Sequence, residues 1–213
     1  MKTFFIVVLV ILAVVIGTGY YFYSQVSYVP EWYETSDPQK TEHIIQSADA
    51  VSQQVENEIK SKKTTQINPD QLTSMILSNA RKKLPFNPQK AIKGIQTKIT
   101  KENLAVEAVI DVKKIPQNQI PKQARGYFDQ FVQMIPGDAF ENLYVKIEGK
   151  PVIKNGQLGF DENATVQIGK VNYSIREMAA QFAADKKFQN YIPLSSLPFS
   201  DIQIEDGYLN IKQ

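Results

Sequence analysis

Residues 4–23 read FFIVVLVILAVVIGTGYYFY, twenty consecutive positions without a charge. A helix rises about 1.5 Å per residue, so a run of this length spans roughly the 30 Å hydrocarbon core of a bilayer. No second stretch of that kind follows. The expectation is one transmembrane helix followed by a globular domain. Phe4, Phe5, Ile6, Val7, Leu9, Ile11, Leu12, Val14 and Ile16 form the apolar body of the expected anchor. Tyr20, Tyr21, Phe22 and Tyr23 form its aromatic end. Amphipathic rings favour the headgroup region, and the lipid bilayer is the expected partner of residues 4–23.

Lys2 and the free amine precede the run, and the first charges after it are Glu31, Glu34 and Asp37. Positive residues stay on the cytoplasmic side. The expected location is therefore the cell membrane, single-pass, with the C-terminal domain extracytoplasmic. The competing reading is a cleaved signal peptide, with an h-region at 4–16 and small residues at Gly17-Thr18-Gly19. Bulky aromatics directly after the small residues, and the length of the run, favour a retained signal-anchor. The expected organisation is 1–27 anchor, 28–36 tether and 37–213 extracytoplasmic domain.

The chain has no cysteine. That removes disulfides, thiol catalysis, cysteine-based metal sites and a lipid-modified cysteine. The net charge is +2, so global charge predicts no partner, and no nucleic-acid binding is expected. Local charge is less even. Seven acidic residues and one lysine lie between Glu31 and Glu58, and ten basic residues and one aspartate lie between Lys60 and Lys101. The basic stretch could meet anionic headgroups or envelope polymers. The plainer reading is a solvated helix face with strand edges.

Ser36-Asp37-Pro38 reads as a helix start, with Asp37 as cap and proline in the first turn. Ile44, Ala48, Val51, Val55 and Ile59 recur at helical spacing through residue 63. A second start at Asn68-Pro69-Asp70 leads into Leu72, Met75, Ile76 and Ala80, ending near Lys83. The period then changes to that of strands. Ile95, Thr97 and Ile99 alternate, as do Leu104, Val106, Ala108, Ile110 and Val112, with Glu102-Asn103 as the turn of a hairpin. A helix is expected over 121–135, carrying Ala124, Tyr127, Phe128, Phe131 and Ile135. Strands follow at Leu143, Val145 and Ile147, around an Asn155-Gly156 turn, and at Val166 and Ile168. Ser174-Ile175-Arg176-Glu177 has the form of a capping box opening another helix. A last hairpin turns at Asp206-Gly207 between Ile202, Ile204 and Leu209, Ile211. The expected class is α+β: a curved antiparallel sheet with helices packed on one face, preceded by one transmembrane helix.

Catalytic signatures are absent. His43 is the lone histidine and reads as a surface residue of the first helix. There is no Gly-x-Ser-x-Gly elbow and no phosphate loop. Asp161, Glu162 and Glu141 lack the spacing of a calcium loop and read as turn residues. No catalytic residue, metal ligand or cofactor is expected, and the chain reads as a non-enzyme. Val106, Ile110, Tyr127, Phe128, Phe131, Val145 and Ile147 could line an apolar pocket for a lipid, or fill an ordinary dry core.

Several segments carry a likeness to a known group. They are Asp70-Gln71-Leu72-Thr73, the hairpin at 95–112, Asn155-Gly156-Gln157-Leu158 and Val166-Gln167-Ile168-Gly169-Lys170. Pro193 and Pro198 follow, and then Ile202-Gln203-Ile204-Glu205-Asp206-Gly207-Tyr208-Leu209. Together with the N-terminal anchor, this layout resembles the YpmS-like family of membrane-anchored bacterial envelope proteins over roughly residues 65–213. It also resembles extracytoplasmic domains in which a curved sheet wraps a long helix, some of which bind lipids. The resemblance implies an anchored, extracytoplasmic, non-enzymatic domain. The expected function is a binding or accessory domain for lipid or envelope components. The alternative is a structural or scaffold subunit that meets a membrane complex through its anchor helix, at Gly17-Thr18-Gly19, and through its domain surface.

Overall fold

The computed structural model describes residues 25–61, 64–84, 86–120, 125, 139–154, 157–161, 163–174, 176, 192–193 and 201–212. The expected anchor at 4–23, the Gly17-Thr18-Gly19 step, the helix at 121–135 with Tyr127, Phe128 and Phe131, and the Asn155-Gly156 turn lie outside these residues. So do Ile175 and Glu177 of the expected capping box. No helix among the described residues is long and apolar enough to cross a membrane.

The described chain is α+β with antiparallel pairing throughout. A short helix α1 (Glu31–Thr35) precedes the long α2 (Pro38–Ser61). Asp37 caps α2, its Oδ1 accepting from the Gln39 amide at 2.9 Å. The short strand β1 (Thr64–Ile67) leads to α3 (Pro69–Lys83). Asn68 opens α3 with a reciprocal capping box: its side chain accepts from the Gln71 amide at 2.9 Å, and the Gln71 side chain accepts from the Asn68 amide at 3.0 Å. Both helix starts lie where the sequence places them, because cap residues act within one turn.

The main sheet has the order β2-β3-β4-β7-β8. Its strands are β2 (Ile92–Ile99), β3 (Leu104–Ile110), β4 (Leu143–Gly149), β7 (Thr165–Ile168) and β8 (Val171–Ser174). Ile99 pairs with Leu104, so the expected first hairpin forms in the expected register. Val112 leaves the strand pattern. It begins a 3-10 turn (Val112–Lys114), because the Asp111 side chain accepts from the Lys113 amide at 3.1 Å.

Two smaller sheets accompany the main one, where the sequence led us to expect a single sheet. Strands β5 (Pro151–Lys154), β6 (Gln157–Phe160) and β9 (Ile192–Pro193) form one, and β1, β11 (Tyr208–Lys212) and β10 (Asp201–Glu205) form the other. Two of these strands, β1 and β9, carry no sequence signal. Thr64 pairs with Lys212 and Ile67 with Leu209, so the start of the domain is tied to its end. Four residues between two helices carry too little alternation to announce a strand, and only the distant partner supplies the hydrogen bonds.

α3 packs against both α2 and β2. Leu77 joins Ile44, Ala48 and Ile95 in one cluster, while Leu72 and Met75 enter the main core with Val55, Ile59, Phe160 and Leu209. The Thr73 hydroxyl meets the Thr97 hydroxyl of β2 at 2.7 Å. Because α3 is enclosed, Thr73, Ser74 and Ser78 are buried although they interrupt its apolar stripe. Arg81 pairs with Asp49 at 2.7 Å and Lys82 with Glu56 at 3.7 Å across the helix pair, so acidic and basic stretches distant in sequence partly neutralise one another.

Candidate functional site

The polar centre of the described structure lies on the sheet face opposite α3. Residues 28–36, expected as a tether, do not hang free: together with Gln25 and Val26 they form a strap across that face. The Gln25 carbonyl accepts from the Lys170 amide at 2.7 Å in the β7–β8 turn. Gly169 in that turn has φ +57°, and a Cβ there would lie 2.0 Å from the Gln25 carbonyl oxygen. Val26 is buried in the main core. Tyr28 meets Tyr144 edge-on at 5.8 Å, with the Lys170 ammonium 5.0 Å from the Tyr28 ring centre. Tyr33 and Trp32 then lie over Gly94 of β2, where a Cβ would be 2.6 Å from the Tyr33 ring. The helices thus do not all share one face: α3 packs on one side of the sheet and α1 belongs to the strap on the other.

Glu107 lies on this face. Only 4 % of it is exposed. It accepts from the Tyr144 hydroxyl at 3.0 Å and from Lys98 Nζ at 2.9 Å. The Gln96 carbonyl oxygen accepts from Trp32 Nε1 at 3.1 Å and from Lys98 Nζ at 3.3 Å in the orientation that satisfies both donors. Burial acts to raise the Glu107 pKa. The hydrogen bonds from Lys98 and Tyr144, the Lys98 charge and Gln96 outweigh it and hold the carboxyl below its ordinary range. Burial, then the Glu107 charge and hydrogen bond, push the Tyr144 hydroxyl well above its ordinary value. Near neutral pH the pair is a carboxylate accepting from a neutral phenol. Neither group is poised to exchange a proton there, so the arrangement acts as a clamp beneath the strap.

The alternation of β3 hides this clamp. Its even positions, Leu104 to Ile110, carry the larger apolar side chains, which would send Glu107 to solvent. Instead Ala105, Glu107 and Val109 are buried, while of the even positions only Leu104 is buried and Val106, Ala108 and Ile110 are half-buried. The available signal was the aromatic content of the strap: Tyr28, Trp32 and Tyr33 suit a sheet face as well as they suit a membrane boundary.

We expect Glu107→Ala to cost about 2 kcal/mol, mainly because the Tyr144 hydroxyl loses its buried acceptor. Lys98 is 54 % exposed at its side chain and regains water, so its loss adds little. Urea unfolding checks this. Since the folded-state pKa of Glu107 is depressed, its stabilisation is present above the unfolded carboxyl value near ~4.3 and is lost as pH falls through the folded value. Trp32, the sole tryptophan, reports the loss. Its emission in the wild type should shift with an acid step that is missing in Glu107→Gln.

Of the expected pocket residues, Val106, Ile110, Val145 and Ile147 share the sheet face that α3 also contacts. Val106 pairs with Ile147, Val145 with Ala108, and Ile110 with Leu143. Ile147 is buried and the other three are half-buried. Tyr127, Phe128 and Phe131 are the ones outside the described residues. A separate cleft of about 240 Å³ lies beside α1 and α2, lined by Trp32, Asp37, Lys40, Asp70 and Gln96 among others. His43 is exposed on α2. Among the described residues no group of three or more histidine, aspartate or glutamate side chains could hold a metal ion. No protein-family model matches the chain, and no curated protein or solved structure does.

Proposed function

We propose that this chain is a membrane-anchored, extracytoplasmic binding or accessory domain that takes up an apolar ligand of the lipid class and catalyses no reaction. One observation carries the ligand reading. Val106, Ala108, Ile110 and Val145 form an apolar strip on β3 and β4 whose members are only half-buried in the interior strands of a five-stranded sheet, Val106 and Val145 packing on the main core and Ala108 on the smaller cluster with one side left accessible. Interior strand positions of a dry core are ordinarily covered, and apolar surface left accessible there suits an acyl chain. The anchor reading rests on the charge-free run at 4–23. The non-catalytic reading rests on the clamp, whose carboxylate is already occupied by Lys98 and Tyr144.

The likeness to the YpmS-like envelope proteins belongs to the same proposal and is supported by the order of elements after α3. A curved sheet is part of it too, supported by the register shift between Ile92 and Gly94, since a bulge bends its strand and increases the local twist. Native mass spectrometry of the full-length protein in detergent tests the ligand. We expect bound lipid on the wild type, and less of it on a Val106→Trp/Val145→Trp variant that remains folded. Equal lipid on both would reject the strip as its site.

A further inference from the structure

We propose that the end of the main sheet carrying the β7–β8 turn faces the membrane and that its lysines contact anionic headgroups. This rests on the reading of 4–23 as a spanning segment. The apolar run ends at Tyr23, and Ser24 alone separates it from Gln25. Gln25 is bonded to Lys170, and its carbonyl closes over Gly169. Two residues of chain reach at most about 7 Å, so there is no slack to turn the domain over. A free tether of a dozen residues would have left the orientation open.

The topology gathers charge at that same end. β2 begins there, β3 ends there, β4 begins there, and β7 turns into β8 there. The connections bring together Lys90, Lys93, Lys113, Lys114 and Lys170, against Asp111, which pairs with Lys114 at 3.7 Å, and Glu141, with Glu31 and Glu34 of α1 beside the start of β2. Lys93 donates to Asn142 at 2.8 Å and Lys113 pairs with Glu141 at 2.9 Å, which holds the three connections side by side. Lys90, Lys114 and Lys170 are exposed. The opposite end, at the β2–β3 turn and past β4, carries two charges of each sign: Lys101 and Lys150, and Glu102 and Asp206. Cationic side chains near an anionic leaflet are attracted within about a Debye length, so the end nearest the anchor is where they act.

The chain lacks cysteine, so single labels are clean. Lys90→Cys and Lys101→Cys remove the same charge from opposite ends of β2, roughly 25 Å apart. Full-length protein carrying a fluorophore at either site is reconstituted into phosphatidylglycerol/phosphatidylcholine vesicles that contain headgroup-nitroxide lipid. We expect strong quenching at position 90 and little at 101. Adding Lys114→Gln and Lys170→Gln, which leaves the Lys113–Glu141 pair in place, should lower the quenching at position 90 in the anionic vesicles, with no such change in phosphatidylcholine alone. Equal or reversed quenching in protein that resists carbonate washing overturns the orientation and leaves the spanning segment standing. Unchanged quenching in the lysine variant overturns the headgroup contact. Protein that washes off in carbonate overturns the spanning segment and this inference with it.

Discussion

Gly169→Ala should detach the strap from the sheet. Gly169 has φ +57°, where an alanine is strained by about 1–2 kcal/mol. The new Cβ would also meet backbone: the Gln25 carbonyl oxygen at 2.0 Å and Val26 Cα at 2.6 Å. Neither is the end of a flexible side chain, so the clash is relieved only by moving the strap. We expect a total loss of about 3 kcal/mol or more, combining the strain with the cost of overpacking. The bond from the Lys170 amide to Gln25 would break, and Tyr28 would lift from Tyr144. Trp32 emission should shift to the red and protease should cut within 25–36, while the core loses Val26 but keeps the packing of α2, α3 and β11. Gly207→Ala is the control. It also has positive φ, 86°, but nothing lies within 4 Å of the place its methyl group would take, so only the backbone strain remains. Equal effects from both variants would show that the contact with Gln25 contributes nothing.

Leu72→Ala acts on the other side of the sheet. Leu72 is fully buried at the first turn of α3, where the Asn68–Gln71 capping box fixes the start of the helix. It belongs to a cluster with Val55 and Ile59 of α2 and Leu209 and Ile211 of β11. Elements on several sides hold the site open, so collapse around the missing methyl groups is limited. The expected cost is about 3–4 kcal/mol, the upper half of the usual range for this substitution. Chemical denaturation of wild type and variant measures it. A loss below about 2 kcal/mol would mean that the helix and the β1–β11 pairing relax into the space.

With the strap fixing the domain against the membrane as proposed, these two variants should separate cleanly. Gly169→Ala should free the orientation of the domain with the packing of α2, α3 and β11 kept, so that the labels at positions 90 and 101 become quenched alike. Leu72→Ala should lower stability and leave the orientation unchanged in the folded fraction.

Much of the fold could be read locally. Helix starts at Asp37 and Asn68 depend on side-chain oxygens that satisfy amides two or three residues away, so their signals lie inside one turn of sequence. The hairpins at 99–104 and 205–208 depend on a turn flanked by alternating apolar residues, which is equally local. The α+β class follows from the change of period between α3 and β2. Three features depended on partners far along the chain. β1 exists because β11, more than 140 residues later, offers it hydrogen bonds. Glu107 is buried because the strand pattern of β3 says which residues share a face but not what covers that face; the strap covers it, and Lys98 and Tyr144 make an ionised carboxylate tolerable there. The aromatic segment after the apolar run has a composition that fits a membrane boundary and a sheet surface equally. Its docking was decided by the shape of the β7–β8 turn, where only a glycine lets the Gln25 backbone come close enough to bond.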